Sequence, residues 1–67
     1  MKKMNRLRDL RMQAYLSQRE LADKLGVAQP TVSAWENGDG YPRVEKLMQL
    51  AQILGCTVDD LLASPDR

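Results

Sequence analysis

The side chains best suited to specific chemistry are concentrated in one short segment, 26–38, with the sequence GVAQPTVSAWENG. It carries a carboxamide at Gln29 and hydroxyls at Thr31 and Ser33, beside the only tryptophan of the chain, Trp35. A core helix would be more apolar, and a fully solvated helix would carry more charge. The segment therefore offers uncharged hydrogen-bonding groups on a short element.

The composition argues against catalytic and metal sites. With no histidine and one cysteine, Cys56, the chain has too few soft ligands for structural zinc and cannot form an intramolecular disulfide. It has no glycine-rich phosphate loop and no plausible base for Cys56, and it is too small for an enclosed pocket. We therefore expect no enzymatic activity, no cofactor and no metal.

Length and charge predict one small domain with a basic side. The 67 residues are near the lower limit for an unstapled domain, which we place at 1–67 with an ordered core of about 5–63. Residues 1–24 carry seven basic and three acidic side chains, whereas residues 25–67 carry three and six. This asymmetry can give a nearly neutral chain one basic face, although surface helices also need charges for solubility. No apolar run suits a membrane span or a secretory signal, so we expect a soluble intracellular protein.

Apolar residues at helical spacing predict five short helices and no strand. The first helix spans about Asn5 to Ala14, and Arg11 shares its apolar side, where a buried charge needs a partner. The second helix follows a capping box of Ser17 and Glu20 and runs to Leu25. Gly26 ends it in the left-handed conformation, and Val27 folds back onto it.

The third helix is predicted to begin near Gln29 or Pro30 and to end at Asn37 and Gly38. Because a residue before proline avoids helical dihedrals, Gln29 is itself a candidate for the N-cap. The fourth helix covers about 44–54 and ends at Gly55, with a core stripe of Val44, Leu47, Leu50, Ala51 and Leu54. A weaker cap, Thr57 with Asp60, starts a short fifth helix at 58–63.

Helices two and three fit a helix-turn-helix. The crossing of the helices needs a small residue, the turn needs one that tolerates left-handed dihedrals, and the third helix needs a compact apolar residue facing the second. Ala22, Gly26 and Val32 meet these conditions within one window that starts at Gln18. Each residue alone would mean little, whereas the set between capped helices is a specific signal.

The segment LSQRELADKLGVAQPTVSAWENG resembles the DNA-binding domain of phage Cro and cI-type repressors, also called the xenobiotic-response-element family. The resemblance continues through YPRVEKLMQLAQILGCTVDDLL, and so covers about Leu7 to Leu62. It implies an all-α, compact, five-helix lambda-repressor-like domain that binds operator DNA sequence-specifically with its third helix in the major groove. It also implies a transcriptional regulator, expected to be a repressor, that acts as a homodimer. The resemblance further implies a protein encoded by a bacterium or a phage, located in the cytoplasm and associated with the nucleoid.

The resemblance places four residues at base edges: Gln29, Pro30, Ser33 and Ala34. Gln29 is the strongest reader because a carboxamide can form two hydrogen bonds with adenine, whereas Pro30 and Ala34 could only touch a thymine methyl. The alternatives are that Gln29 only caps its helix and that Ser33 is solvated.

Other residues are implied to contact the DNA backbone: Gln18, Arg19, Thr31, Asn37, Tyr41 and Arg43. Gln18 lies in the first turn of the second helix, where free amides favour a phosphate oxygen. As alternatives, Asn37 only caps the end of its helix, and Tyr41 covers the loop or a dimer interface. Arg19 would then serve only the solubility of the protein.

Family positions also assign structural roles. Arg11 and Glu36 match a pair that joins the first helix to the end of the third, and Trp35 matches an aromatic residue packed between helices three and four. The chain departs from the family at Ala28, where a hydroxyl cap is usual, and at Tyr15, where glycine or asparagine takes a left-handed turn. Asp39 replaces a basic residue, for which a flexible arm of Lys2, Lys3 and Arg6 could compensate.

The alternative to DNA binding is a helical protein-interaction module, such as an antitoxin that holds a toxin. Binding to DNA that weakens steeply with salt would distinguish the two. Among DNA-binding proteins, the sequence leaves phage repressors, restriction-system controllers and antitoxins open.

Overall fold

Five α-helices form the part of the chain that the computed structural model describes, residues 5–62. Their bounds are α1 Asn5–Gln13, α2 Gln18–Leu25, α3 Gln29–Asn37, α4 Val44–Leu54 and α5 Val58–Leu62. Within that range there is no strand, so the predicted all-α, five-helix class is confirmed. The predicted arm residues Lys2 and Lys3, and the end of the fifth helix at residue 63, lie outside the described residues. Arg6, predicted in the same flexible arm, lies instead in the first turn of α1, where helical hydrogen bonding fixes its backbone.

The start and end of α2 follow the local signals in the sequence. The Ser17 hydroxyl accepts from the Glu20 amide at 3.0 Å, and the Glu20 carboxylate accepts from the Ser17 amide at 2.8 Å, which completes the capping box. Gly26 ends the helix at φ 74°, a left-handed conformation that suits a residue without a Cβ. The Val27 amide then donates to the Ala22 carbonyl at 3.0 Å, so the chain turns back onto α2 as predicted.

The start of α3 decides between the two candidate N-caps, Ala28 and Gln29. The helix begins at Gln29, so Ala28 and not Gln29 occupies the N-cap, with φ −78° and ψ 149°. Ala28 has no oxygen with which to cap, and Pro30 falls in the first turn, where a missing amide costs little. The bias of a residue before proline is a preference that packing can override, and the carboxamide of Gln29 is engaged elsewhere, as described below.

All five helices contribute to one hydrophobic core. Ala22 is 1% exposed where α2 and α3 pack together, and Val32 is fully buried, so the spacing of the helix-turn-helix is confirmed. Trp35 is also buried, as expected of a core residue, whereas its predicted place between helices three and four stays a prediction. Each buried leucine contributes about 1.5–3 kcal/mol through removal from water. The buried apolar residues are Leu7, Leu10, Leu21, Ala22, Leu25, Val32, Trp35, Leu50, Ala51 and Leu61.

The predicted core stripe of α4 is wrong at its first residue. Val44 is 70% exposed, whereas Leu50 and Ala51 are buried and Leu47 and Leu54 pack against the core. Val44 has nearly the angular position of Ala51 but lies two turns, about 10 Å, closer to the helix start. Periodicity predicts which side of a helix faces the core. It does not predict how far along that helix its neighbours extend, and for this reason it predicted the burial of Val44 wrongly.

The turn between α1 and α2 has the left-handed residue that the sequence predicts. Tyr15 has φ 59°, a conformation that costs a residue with a Cβ about 1–2 kcal/mol. Its side chain is 92% exposed and packs on little. Ala14, predicted on the inner stripe of the first helix, is half-buried in this turn.

Candidate nucleic-acid interface

The turn of the helix-turn-helix brings two glutamines together. Gln18 is the first residue of α2 and Gln29 is the first residue of α3. Packing of the two helices places their starts side by side, and Gln29 Nε2 donates to Gln18 Oε1 at 2.6 Å. Gln18 is half-buried and Gln29 is exposed. The half-buried Gln18 therefore holds the exposed carboxamide of Gln29 in place.

A buried carboxylate supports this pair of glutamines. Glu36 Oε1 accepts from Gln18 Nε2 at 3.0 Å, and its side chain is only 3% exposed. Arg11 binds the same carboxylate with Nε at 2.6 Å from Oε2 and with Nη2 at 3.2 Å from Oε1. The ion pair implied by the resemblance is thus present, and it satisfies the inward-facing arginine. We call Arg11, Glu36, Gln18 and Gln29 the hydrogen-bond relay.

An open groove lies between the starts of α2 and α3. Its volume is about 740 Å³, and its lining includes Ser17, Gln18, Arg19, Ala28 and Gln29. A helix start presents free backbone amides and the positive end of the helix dipole, both of which favour an anion. The Arg19 guanidinium in the lining also favours an anion, whereas the Asp23 carboxylate in the same lining disfavours one.

The four predicted base-reading residues share one side of α3, which we call the reading face. Gln29 and Ser33, and likewise Pro30 and Ala34, are four residues apart and therefore neighbours on the helix surface. Gln29 and Pro30 are exposed, while Ser33 and Ala34 are half-buried. The other side of α3 is buried through Val32, Trp35 and Glu36, so packing determines which side chains point outward.

The remaining predicted contact residues surround the reading face on several elements. Asn37 is exposed at the end of α3 and donates from Nδ2 to Ser33 Oγ at 3.4 Å, and Thr31 is half-buried in the first turn. Tyr41 is exposed in the loop before α4, and Arg43 is exposed at the N-cap of that helix without a side-chain cap of its own. Arg43 is thus at a second helix start, separate from the groove between α2 and α3.

Several contacts, at Gln18 and at Lys46, were not anticipated from the sequence. Gln18 was assigned to phosphate alone, yet its oxygen and one of its amide hydrogens are used inside the relay. Lys46 Nζ donates to the Leu25 carbonyl at 2.8 Å and so ties α4 to the end of α2. The one available signal was that Gln18 and Gln29 both open helices of the same motif. Nothing local in the sequence pointed to Lys46.

Two side chains at the start of α5, away from the groove and the reading face, have shifted pKa values. Burial is the main factor that raises the pKa of the Cys56 thiol, and the nearby Asp60 carboxylate adds to it. Hydrogen bonds from the backbone and then the side chain of Thr57 lower the pKa of Asp60.

Among the described residues, no group of three or more His, Cys, Asp or Glu could hold a metal ion. In the same range, no helix has the length and apolar character to cross a membrane.

Comparison with known proteins identifies related sequences. A family model described as helix-turn-helix matches residues 7–61. The HTH-type transcriptional activator BcrR of Enterococcus faecalis is 36% identical over 61 residues, 91% of this chain and 30% of that protein. The cryptic phage CTXphi transcriptional repressor RstR of Vibrio cholerae is 32% identical over 62 residues, 92% of this chain and 56% of that protein.

A third relative is similar to the chain over nearly its whole length. An uncharacterized HTH-type transcriptional regulator of Methanocaldococcus jannaschii is 32% identical over 62 residues, 92% of this chain and 94% of that protein. In contrast, the chain spans 30% of BcrR and 56% of RstR, so those two relatives contain further segments.

Proposed function

We propose that this chain, which belongs to the helix-turn-helix family, binds double-stranded DNA sequence-specifically and regulates transcription, with α3 in the major groove. The observation that carries the proposal is the hydrogen bond from Gln29 to Gln18, which holds an exposed carboxamide at the start of α3. A helix of this motif enters the major groove with its first residues at base edges. A carboxamide held in one orientation is suited to read such an edge.

The proposed base contacts come from the reading face. Gln29 Nε2 has a second hydrogen, and its Oε1 is outside the bond to Gln18, so it can pair with N7 and N6 of adenine. Ser33 adds a hydroxyl for a base or a phosphate, and Pro30 and Ala34 offer only apolar contact with a thymine methyl. This face carries no charge, so its role is selection of sequence rather than general attraction to DNA.

The proposed backbone contacts supply position and most of the affinity. Gln18 retains a second amide hydrogen for a phosphate beside Arg19, in the groove at the start of α2. Arg43 and the first amides of α4 serve a second phosphate. Thr31, Asn37 and Tyr41 complete the set with uncharged donors. With few cations among these residues and Asp39 close by in sequence, we expect the affinity to fall with salt less steeply than for an interface with more cations, yet clearly enough to distinguish DNA binding from binding of a protein partner.

Repression by a homodimer, in the bacterial cytoplasm at the nucleoid, is the form of regulation that we favour. Occupation of a promoter excludes other proteins from it without requiring any further surface on the regulator. A two-fold dimer would place two α3 helices in successive major grooves, about 34–36 Å apart, and would read an operator with two-fold symmetry. Among the relatives, RstR is named a repressor and BcrR an activator.

Selection of bound sites from random duplex DNA tests the proposal. We expect a two-fold site, and we expect Gln29→Ala to relax preference at one base-pair position of each half by about fivefold or more. Gln52→Ala is the matched control, because it removes an exposed glutamine from α4 and should leave every preference unchanged.

Two outcomes would count against DNA reading by α3. Unchanged preference in Gln29→Ala would refute the assignment of that residue. Binding to duplex DNA that is absent, or that does not respond to salt, would favour the alternative in which the scaffold binds a protein partner such as a toxin.

A further inference from the structure

We propose that Glu36, which is buried near the opposite end of α3 from Gln29, is a positioning residue for base recognition. This inference rests on the proposed function, because it concerns how Gln29 is presented to a base. Its basis is the direction of the hydrogen bonds in the relay, which runs from Arg11 through Glu36 and Gln18 to Gln29.

A glutamine carboxamide has no preferred orientation of its own. Its oxygen and nitrogen have nearly the same size and differ only in that one accepts and the other donates. A rotation of half a turn about the last side-chain bond exchanges the two. Gln29 therefore reads a base with a defined pattern only if a neighbour distinguishes its oxygen from its nitrogen.

Glu36 supplies that distinction through Gln18. A carboxylate only accepts, so the Gln18 atom 3.0 Å from Glu36 Oε1 must be the nitrogen. The oxygen of Gln18 then faces Gln29, and since an amide oxygen also only accepts, the Gln29 atom at 2.6 Å must be the nitrogen. The orientation of the exposed carboxamide is thus set by a charge two side chains away.

Arg11 fixes the carboxylate without disturbing this direction. Its guanidinium has donors and no acceptor, and it binds both oxygens of Glu36. Oxygen Oε1 still accepts from Gln18, because a carboxylate oxygen can accept more than one bond. The bonds of the relay therefore converge on Glu36, with Arg11 donating from one side and Gln18, which itself accepts from Gln29, donating from the other.

A carboxamide at position 36 would remove the direction. It could present either its oxygen or its nitrogen to Gln18, so both orientations of Gln18, and then of Gln29, would become acceptable. In part of the population, the oxygen and nitrogen that face the base would be exchanged. Adenine N6 and N7 would then meet the wrong partners.

The test is a chain with Arg11→Met and Glu36→Gln together, which removes both charges and leaves neither one buried alone. Sites are selected from random duplexes, and preference is measured at the base pair that Gln29→Ala identifies. We expect this preference to fall about five- to tenfold, since the bidentate contact is weakened but not abolished. Undiminished preference in the folded double variant overturns the proposal.

Two controls separate positioning from stability. Leu50→Val loosens the core at a fully buried position outside the relay and should keep the base preference of the original chain. Arg11→Met alone keeps the carboxylate of Glu36, and so should be less stable than the double variant yet more selective. A purely structural role predicts that selectivity follows stability, and that result would also overturn the proposal.

A measurement without DNA distinguishes failure of this inference from failure of the proposed function. In the NMR spectrum of the free protein, one carboxamide hydrogen each of Gln18 and Gln29 should be protected from exchange, and the double variant should lose this distinction. If the original chain selects no DNA sequence, the proposed function fails. If it selects one, and the double variant keeps both its preference and the protected hydrogens, only the role of Glu36 fails.

Discussion

The two helices of the motif begin in physically different ways, although each opens with a glutamine. Neighbouring residues cap α2, through the reciprocal bonds of Ser17 and Glu20. Ala28 precedes α3 without a side-chain cap, and the helix is held instead by Gln29, which bonds to Gln18 on the other helix. Both helices begin with local backbone bonds, which include the bond from the Thr31 amide to the Ala28 carbonyl at 3.0 Å. Side chains of neighbouring residues add a cap at α2, whereas the side chain that opens α3 bonds to the other helix.

The largest expected effect comes from breaking the tertiary support at its buried end. Arg11→Ala leaves the Glu36 carboxylate, 3% exposed, without its cation. Loss of one partner of a buried ion pair costs about 3–5 kcal/mol, because the remaining charge stays away from water. We expect the free energy of unfolding, measured by urea titration, to fall by this amount. The stability of α3 should therefore depend far more on this buried ion pair than on the local cap that the helix lacks.

Arg8→Ala is the matched control for that experiment. It removes the same charge from the same helix at an exposed position, where substitutions usually change stability by less than about 0.5 kcal/mol. If Arg11→Ala melts at the same temperature as the original chain, the relay does not support α3.

The same contrast explains what the sequence could predict. The capping box, the glycine turn at Gly26 and the burial of Ala22 and Val32 depend on residues close together in the chain, and each prediction is confirmed. The sequence left the N-cap of α3 open between Ala28 and Gln29, and the structure places Ala28 there. Gln29 bonds instead to a residue eleven positions away. Local patterns carry no information on such a partner.

The candidate site divides in the same way. Family positions implied the Arg11–Glu36 pair, and helical periodicity indicates that Gln29 and Ser33 share a side of α3. The bonds of Gln18 to both Glu36 and Gln29 required the packed structure, since they depend on how two helix starts come together. The DNA contacts of the reading face themselves stay a prediction.

A smaller effect is expected from removing the local cap of α2. Ser17→Ala deletes the acceptor for the Glu20 amide, and loss of such a cap costs about 1 kcal/mol. The change should appear as a lower melting temperature, with the order of stability Arg11→Ala below Ser17→Ala below the original chain. Ser33→Ala is the control, since it removes a serine hydroxyl from within a helix, where its bond from Asn37 is long, at 3.4 Å. A loss for Ser17→Ala that does not exceed that of Ser33→Ala would mean that the box contributes nothing specific.

The smallest effect should come from giving α3 the local cap that it lacks. Ala28 already has the extended dihedrals of an N-cap, so Ala28→Ser places a hydroxyl near the Thr31 amide, the one candidate donor because Pro30 has no N–H. That amide already donates to the Ala28 carbonyl at 3.0 Å, so the hydroxyl would share it. The gain should be about 0.5 kcal/mol, less than Ser17→Ala loses, because Thr31 stands where a capping box needs Glu or Gln to complete the second bond.

Ala28→Val controls for that gain, since valine tolerates the extended dihedrals of Ala28 but has no oxygen. A rise in melting temperature for serine and not for valine would show that a local cap and the relay act independently on α3. An equal result for both variants would show that the bond between Gln29 and Gln18 already fixes the helix start. A local cap would then add no stability to α3. Both helix starts would be fully stabilised, α2 by its local cap and α3 by the bond between Gln29 and Gln18.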